Sequence, residues 1–572
     1  MKYLDKITSP KDIKALNIDQ LYELAQELRE VIINTVFKNG GHLASNLGVI
    51  ELTIAIEYVF NLPKDKLIFD VGHQCYAHKL LTGRYNRFST LRQTNGISGF
   101  PRIDESVYDT ATTGHASTAL SIACGLVRTN PEGNIISLIG DGSLTGGLSY
   151  EALNDMATLK QKQIVILNDN DMSISKTVGY ISRYLNGVPG RGDAFGEYGL
   201  NYLDNIDGHN IEELINALTY AKNSKRSIVL HVKTIKGKGL TEAELDPERY
   251  HGYSPKHWDK PSFSKIMGAK LTKMASQDKN IYAITAAMEE GTGLEIFEKT
   301  HKSRFIDVGI CEAHAATMAS GLALGGKKPY FAVYSTFMQR AFDSILHDIC
   351  LSNLNVKFLV DRAGIVSGDG ETHQGIYDVS FLRLMPNMVI ASPKDSIEIE
   401  NMLDFSLQHE GPMAIRYPKG NLRIEYSIHE PIELGKWEYL HRHDDSDIVV
   451  LATGATAVSV ASHAFETLNS EGIYPTLINA RFVKPLDTEV LNAIKDKTIV
   501  TIEDNIISGS FGSAVAEYYV KNNIYNVKLH IKGIDDKILK NASQDALLKA
   551  NGLDGDSISD FIKTLIKWES IF

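Results

Sequence analysis

The chain has 572 residues, which is too long for one hydrophobic core and predicts two to four domains. Its composition, 43% hydrophobic and 23% charged, is typical of a water-soluble globular protein. The net charge of −11 disfavours nucleic acid and anionic membranes as partners, although a phosphorylated substrate needs only a few local donors.

Location is indicated by two further features. No apolar run reaches the length of a membrane span, and the start MKYLDKITSPKDIKALN lacks the apolar core of a secretory signal. The four cysteines lie far apart and form no CxxC pair, which is typical of reduced thiols. We therefore expect a cytoplasmic protein without a membrane anchor.

Short apolar runs alternate with helix-length amphipathic stretches along the chain. Continuous runs of this kind predict buried parallel strands covered by helices on both faces, so the fold class is α/β. The runs are IISLIG, QIVILND, SIVLHVKT, NIYAITAA, PYFAVYS, KFLVDRAG, NMVIASP, DIVVLATG, TLINARF and TIVTIED.

Two irregular stretches mark candidate domain boundaries. DKPSFSKIMGAK has a Pro-Ser start before an amphipathic helix, and EYSIHEPIELGKWEYLHRHDDSD is polar before a new strand. They predict three domains, each a mainly parallel sheet flanked by helices, over residues 1–261, 262–433 and 434–572.

The strongest local motif is IISLIGDGSLTGGLSYEALNDMATLKQKQIVILNDNDMSIS. One predicted strand ends in Gly140-Asp141-Gly142, and the next ends in Asn168-Asp169-Asn170. Because ligands bind at the carboxyl ends of parallel strands, Asp141 and Asn170 can face one point, where their oxygens suit Mg²⁺. The following helix adds N–H donors for a diphosphate. The alternative, that both motifs are ordinary turns, is weakened by their spacing.

A second motif, FIDVGICEAHAATMASGLALGG, leads from a short strand through Glu312 into a helix of small residues. Read alone, Glu312 is a first-turn glutamate facing the helix dipole. The upstream pattern from GDG to Asn170, however, resembles the thiamine-diphosphate signature, and thiamine chemistry requires a carboxylate against N1′ of the aminopyrimidine. Phe337 in YSTFMQRAFD could stack on that ring. An isolated Phe beside a strand is usually part of the core.

These motifs together resemble the 1-deoxy-D-xylulose-5-phosphate synthases, relatives of transketolase. The resemblance extends through GGHLASNLGVIEL, DVGHQCYAHKLLTGR, DRAGIVSGDGETHQGIYD, IRYPKG and RFVKPLD, and so covers nearly the whole chain. DRAGIVSGDGETHQG points to these synthases rather than to transketolase itself. The resemblance implies two thiamine-diphosphate-binding domains, for the diphosphate with Mg²⁺ and for the pyrimidine, followed by a transketolase C-terminal-type domain.

The resemblance also implies site residues. The expected catalytic residues are Glu312, His42, His73, His251 and His373. The expected cofactor contacts are His73, Gly114, His115, Ala116, Asp141, Gly142, Ser143, Asn170, Lys236, Glu312 and Phe337. The expected metal ligands are Asp141, Asn170 and the backbone carbonyl of Met172. The expected substrate contacts are Tyr334, Arg340, Arg362, Asp369, His373 and Arg416, with Arg362 and Arg416 holding a phosphate. For single residues the alternatives are hydrogen-bonded loop histidines, a solvated Lys236 and a polar turn at Asp369.

Two positions depart from the family pattern. Ala313 stands where the family usually has Gln after the activating Glu. Between Gly179 and Gly196 a long family insertion is reduced to YISRYLNGVPGRGDAF. Its Gly content and single Pro predict a compact, ordered turn that spares Arg183 and Arg191 from trypsin, and closure would depend instead on the stretch around His251.

The activity implied by the resemblance is condensation of pyruvate with D-glyceraldehyde 3-phosphate, releasing carbon dioxide, in a homodimer that uses thiamine diphosphate and Mg²⁺. The product, 1-deoxy-D-xylulose 5-phosphate, would serve isoprenoid and thiamine synthesis. Ketol transfer between sugar phosphates would use the same Glu312 and metal site, so release of carbon dioxide from pyruvate separates the two. A catalytically dead binding protein is disfavoured, since every chemical position is filled.

Overall fold

The computed structural model describes residues 1–129, 131–173, 177–187, 194–255, 261–420, 426–427 and 429–569. The chain divides into two compact units. The first comprises Met1–His257 with Gly309–Cys311 and Gly368–Thr372, and the second comprises Trp258–Val308, Glu312–Ser367 and His373–Phe572. Among the described residues, no helix is long and apolar enough to cross a membrane.

The first unit contains a five-stranded parallel sheet in the order β1-β2-β3-β5-β4. Its strands are β1 Lys66–Phe69, β2 Ile135–Gly140, β3 Ile164–Asp169, β4 Asn201–Asp207 and β5 Ile228–Lys233. Its α-helices are α1 Pro10–Ile13, α2 Ile18–Asn39, α3 Ala44–Leu47, α4 Ile50–Val59, α5 Tyr76–Lys79, α6 Ala119–Arg128, α7 Asp141–Leu144, α8 Gly147–Met156, α9 Tyr180–Leu185, α10 Ile211–Asn223 and α11 Thr241–Leu245.

Burial explains why these segments form strands. β2, β3 and β5 are buried along almost their whole length, as their continuous apolar runs predict. The long helix α2 begins at a capping box, in which the Asn17 side chain accepts from Gln20 N, and buries Leu21, Leu24 and Leu28. These leucines join one large apolar core with residues of α4 and the sheet.

The second unit contains two sheets. A seven-stranded sheet has the order β15-β10-β11-β9-β8-β6-β7, and a five-stranded sheet has the order β12-β14-β13-β16-β17. The strands are β6 Ile281–Thr285, β7 Phe305–Asp307, β8 Lys328–Tyr334, β9 Lys357–Asp361, β10 Val389–Ala391, β11 Met413–Arg416, β12 Glu438–His441, β13 Ile448–Ala452, β14 Thr476–Asn479, β15 Phe482–Lys484, β16 Thr498–Ile506 and β17 Lys528–Ile534. The α-helices are α12 Phe263–Gln277, α13 Glu295–His301, α14 Glu312–Leu324, α15 Ser335–Met338, α16 Phe342–Ser344, α17 Asp378–Arg383, α18 Ser396–Gln408, α19 Gly454–Ser470, α20 Thr488–Ala493, α21 Phe511–Lys521, α22 Gln544–Ala550 and α23 Gly555–Glu569.

Both sheets are mainly parallel, which confirms the predicted fold class of three helix-flanked parallel sheets. Among the described strands, β12 pairs antiparallel with β14, and β15 pairs antiparallel with β10. β15 therefore belongs to the seven-stranded sheet, although β14 and β16 on either side of it in the chain belong to the five-stranded sheet. The two sheets of this unit thus share one continuous stretch of chain.

Candidate active site

The predicted metal ligands lie at the carboxyl-terminal edge of the first unit's sheet. β2 and β3 are adjacent and parallel, with Gly140 beside Asn168. Asp141 is the first residue after β2, and Asn170 is the first residue after β3. The structure thus places the two motifs at neighbouring carboxyl ends, where parallel sheets bind ligands.

Asp141 is buried with few donors around it. Its side chain is 2% exposed, and the Thr177 hydroxyl donates to Oδ2 at 2.7 Å. Burial and the neighbouring Asp169 carboxylate raise the pKa of Asp141 to about 7. A Cβ on Gly142 would lie 2.8 Å from the Ser173 Cβ, so the loop approaches too closely for a larger residue.

The predicted lysine lies beside the same loop. Lys236 is 5% exposed, and its Nζ donates to the carbonyl of Ser173. Burial lowers the pKa of Lys236 to about 8, and the Asp141 carboxylate opposes that shift. The alternative of a solvated surface lysine is therefore wrong for this position.

Asp70 positions the predicted backbone stretch Gly114–Ala116. The Asp70 carboxylate accepts from Ser117 N at 2.8 Å and from Ala119 N at 3.0 Å, just beyond that stretch. Ser117 has a positive φ of 69°, and its hydroxyl donates to the carbonyl of Ser143, another predicted contact. The two segments that carry predicted cofactor contacts are thereby joined.

Three predicted histidines form one cluster. The ring centroids of His42, His73 and His251 lie 5.3 to 5.5 Å from one another. The Asn46 side chain donates to the carbonyls of His42 and His73, at 2.6 and 2.7 Å. Burial, reinforced by nearby Lys236 and the two other histidines, holds the pKa of His251 well below its usual value, so its ring is neutral at pH 7.

The segment Gly368–Thr372, which carries Asp369, is bound to the first unit by charged side chains. Arg92 Nη1 lies 2.8 Å from Asp369 Oδ1, and Arg102 Nε lies 3.0 Å from Glu371 Oε1. His115 Nε2 lies 2.9 Å from the carbonyl oxygen of Thr372. A Cβ on Gly114 would meet the Thr372 side chain at 2.4 Å, so this glycine admits the segment.

In the second unit, Glu312 is the first residue of α14 and is 3% exposed. Its Oε2 lies 3.8 Å from Arg340 Nη1. Burial raises the pKa of Glu312, and the Arg340 charge opposes that shift. A first-turn position alone does not require such burial, so the carboxyl group is well placed for exchanging a proton with a bound ring.

The second unit also contains a group of predicted residues with stacked aromatic and cationic side chains. Tyr334 and Phe337 stack at 5.8 Å, and Phe337 meets His373 edge-on at 5.4 Å. Arg362 lies over the Tyr334 ring with Cζ 3.6 Å from the ring centroid. The structure thus brings together three of the predicted substrate contacts and one predicted cofactor contact, Phe337.

Arg416 ends β11, which pairs with β9. It is 3% exposed, its Nε donates to Asp378 Oδ2 at 2.8 Å, and its Nη2 lies 3.5 Å from Asp504 Oδ1. The side chain therefore forms buried ion pairs, which its sequence could not reveal. Its predicted contact with a phosphate stays a prediction.

Comparison with known proteins identifies the family. A family model described as 1-deoxy-D-xylulose-5-phosphate synthase matches residues 4–191 and 186–234. Models of the transketolase pyrimidine binding domain and C-terminal domain match residues 259–425 and 435–558. A 1-deoxy-D-xylulose-5-phosphate synthase of Clostridium tetani is 45% identical over 97% of this chain and 98% of its own length. A synthase of the same name from Caldanaerobacter subterraneus is 45% identical over 98% of each chain.

The chain belongs to the 1-deoxy-D-xylulose-5-phosphate synthase family. The resemblance read from the motifs is confirmed. The alignment of this chain with the Clostridium tetani synthase spans 610 positions, which is more than the 572 residues of the chain. The relative therefore contains segments that this synthase-family chain lacks.

The shortened connection of this synthase-family chain is partly helical. The predicted compact turn between Gly179 and Gly196 contains α9, whose Tyr184 and Leu185 are buried. Ser182 Oγ and Asn186 Nδ2 donate to Asp171 Oδ1 at 3.0 and 2.9 Å, next to the metal-ligand loop. Residues 188–193, with the predicted protected site Arg191, lie outside the described part of the chain.

Sequence reasoning missed several residues that hold the site of this synthase-family chain together. They share one property: the side chain of each contacts either a predicted residue or a residue within three positions of one. Asn46 lies in GGHLASNLGVIEL and Asp70 lies in DVGHQCYAHKLLTGR, so these family-like motifs could have pointed to both residues. Arg92 and Arg102 lie in no such motif. The missed residues are Asn46, Asp70, Arg92, Arg102 and Thr177.

Proposed function

We propose that this chain condenses pyruvate with D-glyceraldehyde 3-phosphate, releases carbon dioxide and forms 1-deoxy-D-xylulose 5-phosphate, with thiamine diphosphate and Mg²⁺ as cofactors. The observation that carries the proposal is the 45% identity to a named synthase over 97% of the chain. The filled positions at the strand ends of the first unit and at the start of α14 support it.

The first unit fits Mg²⁺ and a diphosphate. Asp141, the Asn170 side chain and the Met172 carbonyl are oxygen donors of the kind that Mg²⁺ prefers. A cation at this edge would neutralise the buried carboxylate of Asp141, whose pKa is raised to about 7 by burial and by Asp169. Donors and close-approach positions for the diphosphate would be His73, Gly114, His115, Ala116, Gly142, Ser143 and Lys236.

The second unit fits the pyrimidine end of the cofactor. When bound, thiamine diphosphate supplies the electron sink for loss of carbon dioxide and for carbon–carbon bond formation. Glu312 would hold a proton against the aminopyrimidine N1′, because its buried carboxyl group has a raised pKa. Phe337, stacked on Tyr334, would offer an aromatic face to that ring.

The remaining polar residues would bind substrates and move protons. Arg362 and Arg416 would hold the aldehyde's phosphate, with Tyr334 beneath the Arg362 guanidinium, and Arg340 would be a further substrate contact. Asp369 and His373 would orient the acceptor's hydroxyl groups. The neutral His251, with His42 and His73, would exchange protons with bound substrate.

We also propose domain boundaries near residues 261 and 433, a cytoplasmic location, a homodimer and a role in isoprenoid and thiamine synthesis. These proposals are supported by the family membership. The domain boundaries agree with family-model matches that begin at residues 259 and 435.

A product assay tests the proposed activity. The full chain, Mg²⁺, thiamine diphosphate and carboxyl-labelled pyruvate are incubated with or without glyceraldehyde 3-phosphate, and released carbon dioxide and product are identified by mass spectrometry. The expected result is labelled carbon dioxide with stoichiometric 1-deoxy-D-xylulose 5-phosphate. Two-carbon transfer from xylulose 5-phosphate to ribose 5-phosphate, without carbon dioxide from pyruvate, would replace the proposal with a transketolase activity.

A further inference from the structure

A buried histidine lies between two carboxylates beneath the metal-ligand loop. His231, in β5, has a side chain that is 1% exposed. Its Nε2 lies 2.7 Å from Asp169 Oδ2, and its Nδ1 lies 2.7 Å from Asp204 Oδ1 and 2.8 Å from the Tyr202 hydroxyl. Both ring nitrogens therefore face oxygen atoms, and the proposed reaction steps use none of these groups.

Asp169 connects this histidine to the loop after β3. It is the last residue of β3 and immediately precedes Asn170. Its Oδ1 accepts from Asp171 N at 3.0 Å, while Oδ2 faces His231 and also accepts from Lys233. One buried carboxylate thus joins two side chains of β5 to the backbone of the loop.

The loop has a conformation that depends on such support. Asp171 has a positive φ of 57°, a region that most residues avoid. Its amide is held by Asp169, and its side chain is held by Ser182 and Asn186. Asn170 and Met172, the two proposed ligands of this loop, flank this residue.

We infer that His231 is a positioning residue that fixes the Asn170–Met172 loop for Mg²⁺ through Asp169, with Asp204 orienting the imidazole from the solvent side. The inference rests on the proposed function only in taking Asn170 and Met172 as metal ligands. Groups that orient ligands from behind commonly set metal affinity, and their loss costs about 10–100-fold in binding.

The charge balance explains why His231 matters. Asp169 is 1% exposed, so its carboxylate depends on nearby donors for compensation. Lys233 supplies one, but its side chain is 36% exposed and also donates to the carbonyl of Leu185. Removing His231 leaves Oδ2, among the described residues, with Lys233 as its donor, and the carboxylate can rotate away from Asp171 N.

The test is a calorimetric titration of the full chain with Mg²⁺ at a fixed concentration of thiamine diphosphate. It compares wild type with His231→Gln. We expect Mg²⁺ to bind about 10–100-fold more weakly to the variant, with catalysis largely restored at saturating Mg²⁺. Tyr202→Phe, which removes one contact of the ring, should cause a smaller change. His301→Gln alters a half-buried histidine of the second unit, where Nδ1 accepts from Arg304, and should leave Mg²⁺ affinity unchanged.

Asp204→Asn keeps the inference testable if His231→Gln does not fold. The Asp204 side chain is 41% exposed, so the substitution should be tolerated, and we expect a several-fold loss of Mg²⁺ affinity. Folded His231→Gln and Asp204→Asn proteins that bind Mg²⁺ within twofold of wild type would overturn the inference. So would a wild type that binds no Mg²⁺. A wild type that binds Mg²⁺ and cofactor but forms no product would refute the proposed function alone.

Discussion

Arg102 Nε lies 3.0 Å from Glu371 Oε1, and this ion pair joins two segments far apart in the chain. Both side chains are largely buried, at 15% and 14% exposed, so the pair is shielded from screening by salt. With Arg92 and Asp369, it holds the Gly368–Thr372 segment in place. Asp369 is proposed to orient the acceptor, so the ion pair bears on acceptor binding.

We therefore expect Arg102→Gln to raise KM for glyceraldehyde 3-phosphate by roughly tenfold, with KM for pyruvate changed less than twofold. Loss of one charge-assisted contact of about 1.5 kcal/mol corresponds to that factor. Steady-state kinetics with each substrate varied would measure it. Arg128→Gln, which removes an exposed pair with Asp155, is the control and should be silent. Equal changes in both KM values would contradict the proposed role.

Glu312→Gln should slow exchange of the C2 proton of bound thiamine diphosphate by about 10²–10⁴-fold, because the variant cannot exchange a proton at N1′. Exchange into deuterated buffer, followed by acid quench and NMR, gives the rate. Glu298→Gln changes a first-turn glutamate of α13 and separates a helix-dipole effect from proton transfer. Exchange at the wild-type rate in Glu312→Gln would remove Glu312 from its proposed role.

Arg362 and Arg416 should respond differently to substitution. Arg362→Ala should raise KM for glyceraldehyde 3-phosphate more than tenfold, since a charged hydrogen bond contributes about 1.5–3 kcal/mol. Arg416→Met leaves Asp378 and Asp504 buried without their cation, which costs about 3–5 kcal/mol of stability. Its melting temperature should fall by several degrees. An Arg416→Met protein as stable as wild type would contradict this expectation.

Lys357 should make stability depend on pH. Burial lowers its pKa to about 7, well below the value of about 10.4 for an exposed lysine. Between these values the unfolded chain binds the extra proton, so stability rises with pH, by at most about 1.4 kcal/mol per unit. The melting temperature of wild type relative to Lys357→Met should therefore increase from pH 7 to pH 9. Lys299→Met, at an exposed position, is the control, and a flat or falling difference would contradict the expectation.

The sequence predicts the buried strands well and the edge strands poorly. β2, β3 and β5 are continuous apolar runs, whereas β4, NYLDNID, is an edge strand with three exposed residues and no apolar periodicity. Its formation depends on pairing with β5, which is a tertiary contact.

The site shows the same limit. Asp141 and Asn170 were predictable because both follow strands whose order can be inferred from local sequence. The ion pairs of Arg416 were not predictable, because Asp378 and Asp504, its buried partners, come from α17 and β16. The sequence around an arginine does not show whether its guanidinium binds a substrate phosphate or the protein's own carboxylates, because that depends on how the side chain packs.

The placement of β15 has a consequence for dividing this protein into parts. β15 covers the outer edge of β10, with Lys484 beside Ile390. A fragment ending near residue 433 would lose that cover and expose the hydrogen-bonding groups of a buried apolar strand. Such a bare edge pairs readily with another chain, so the fragment should aggregate even with its own strands β6–β11 present. A soluble truncation of this chain that includes β6–β11 should therefore retain β15.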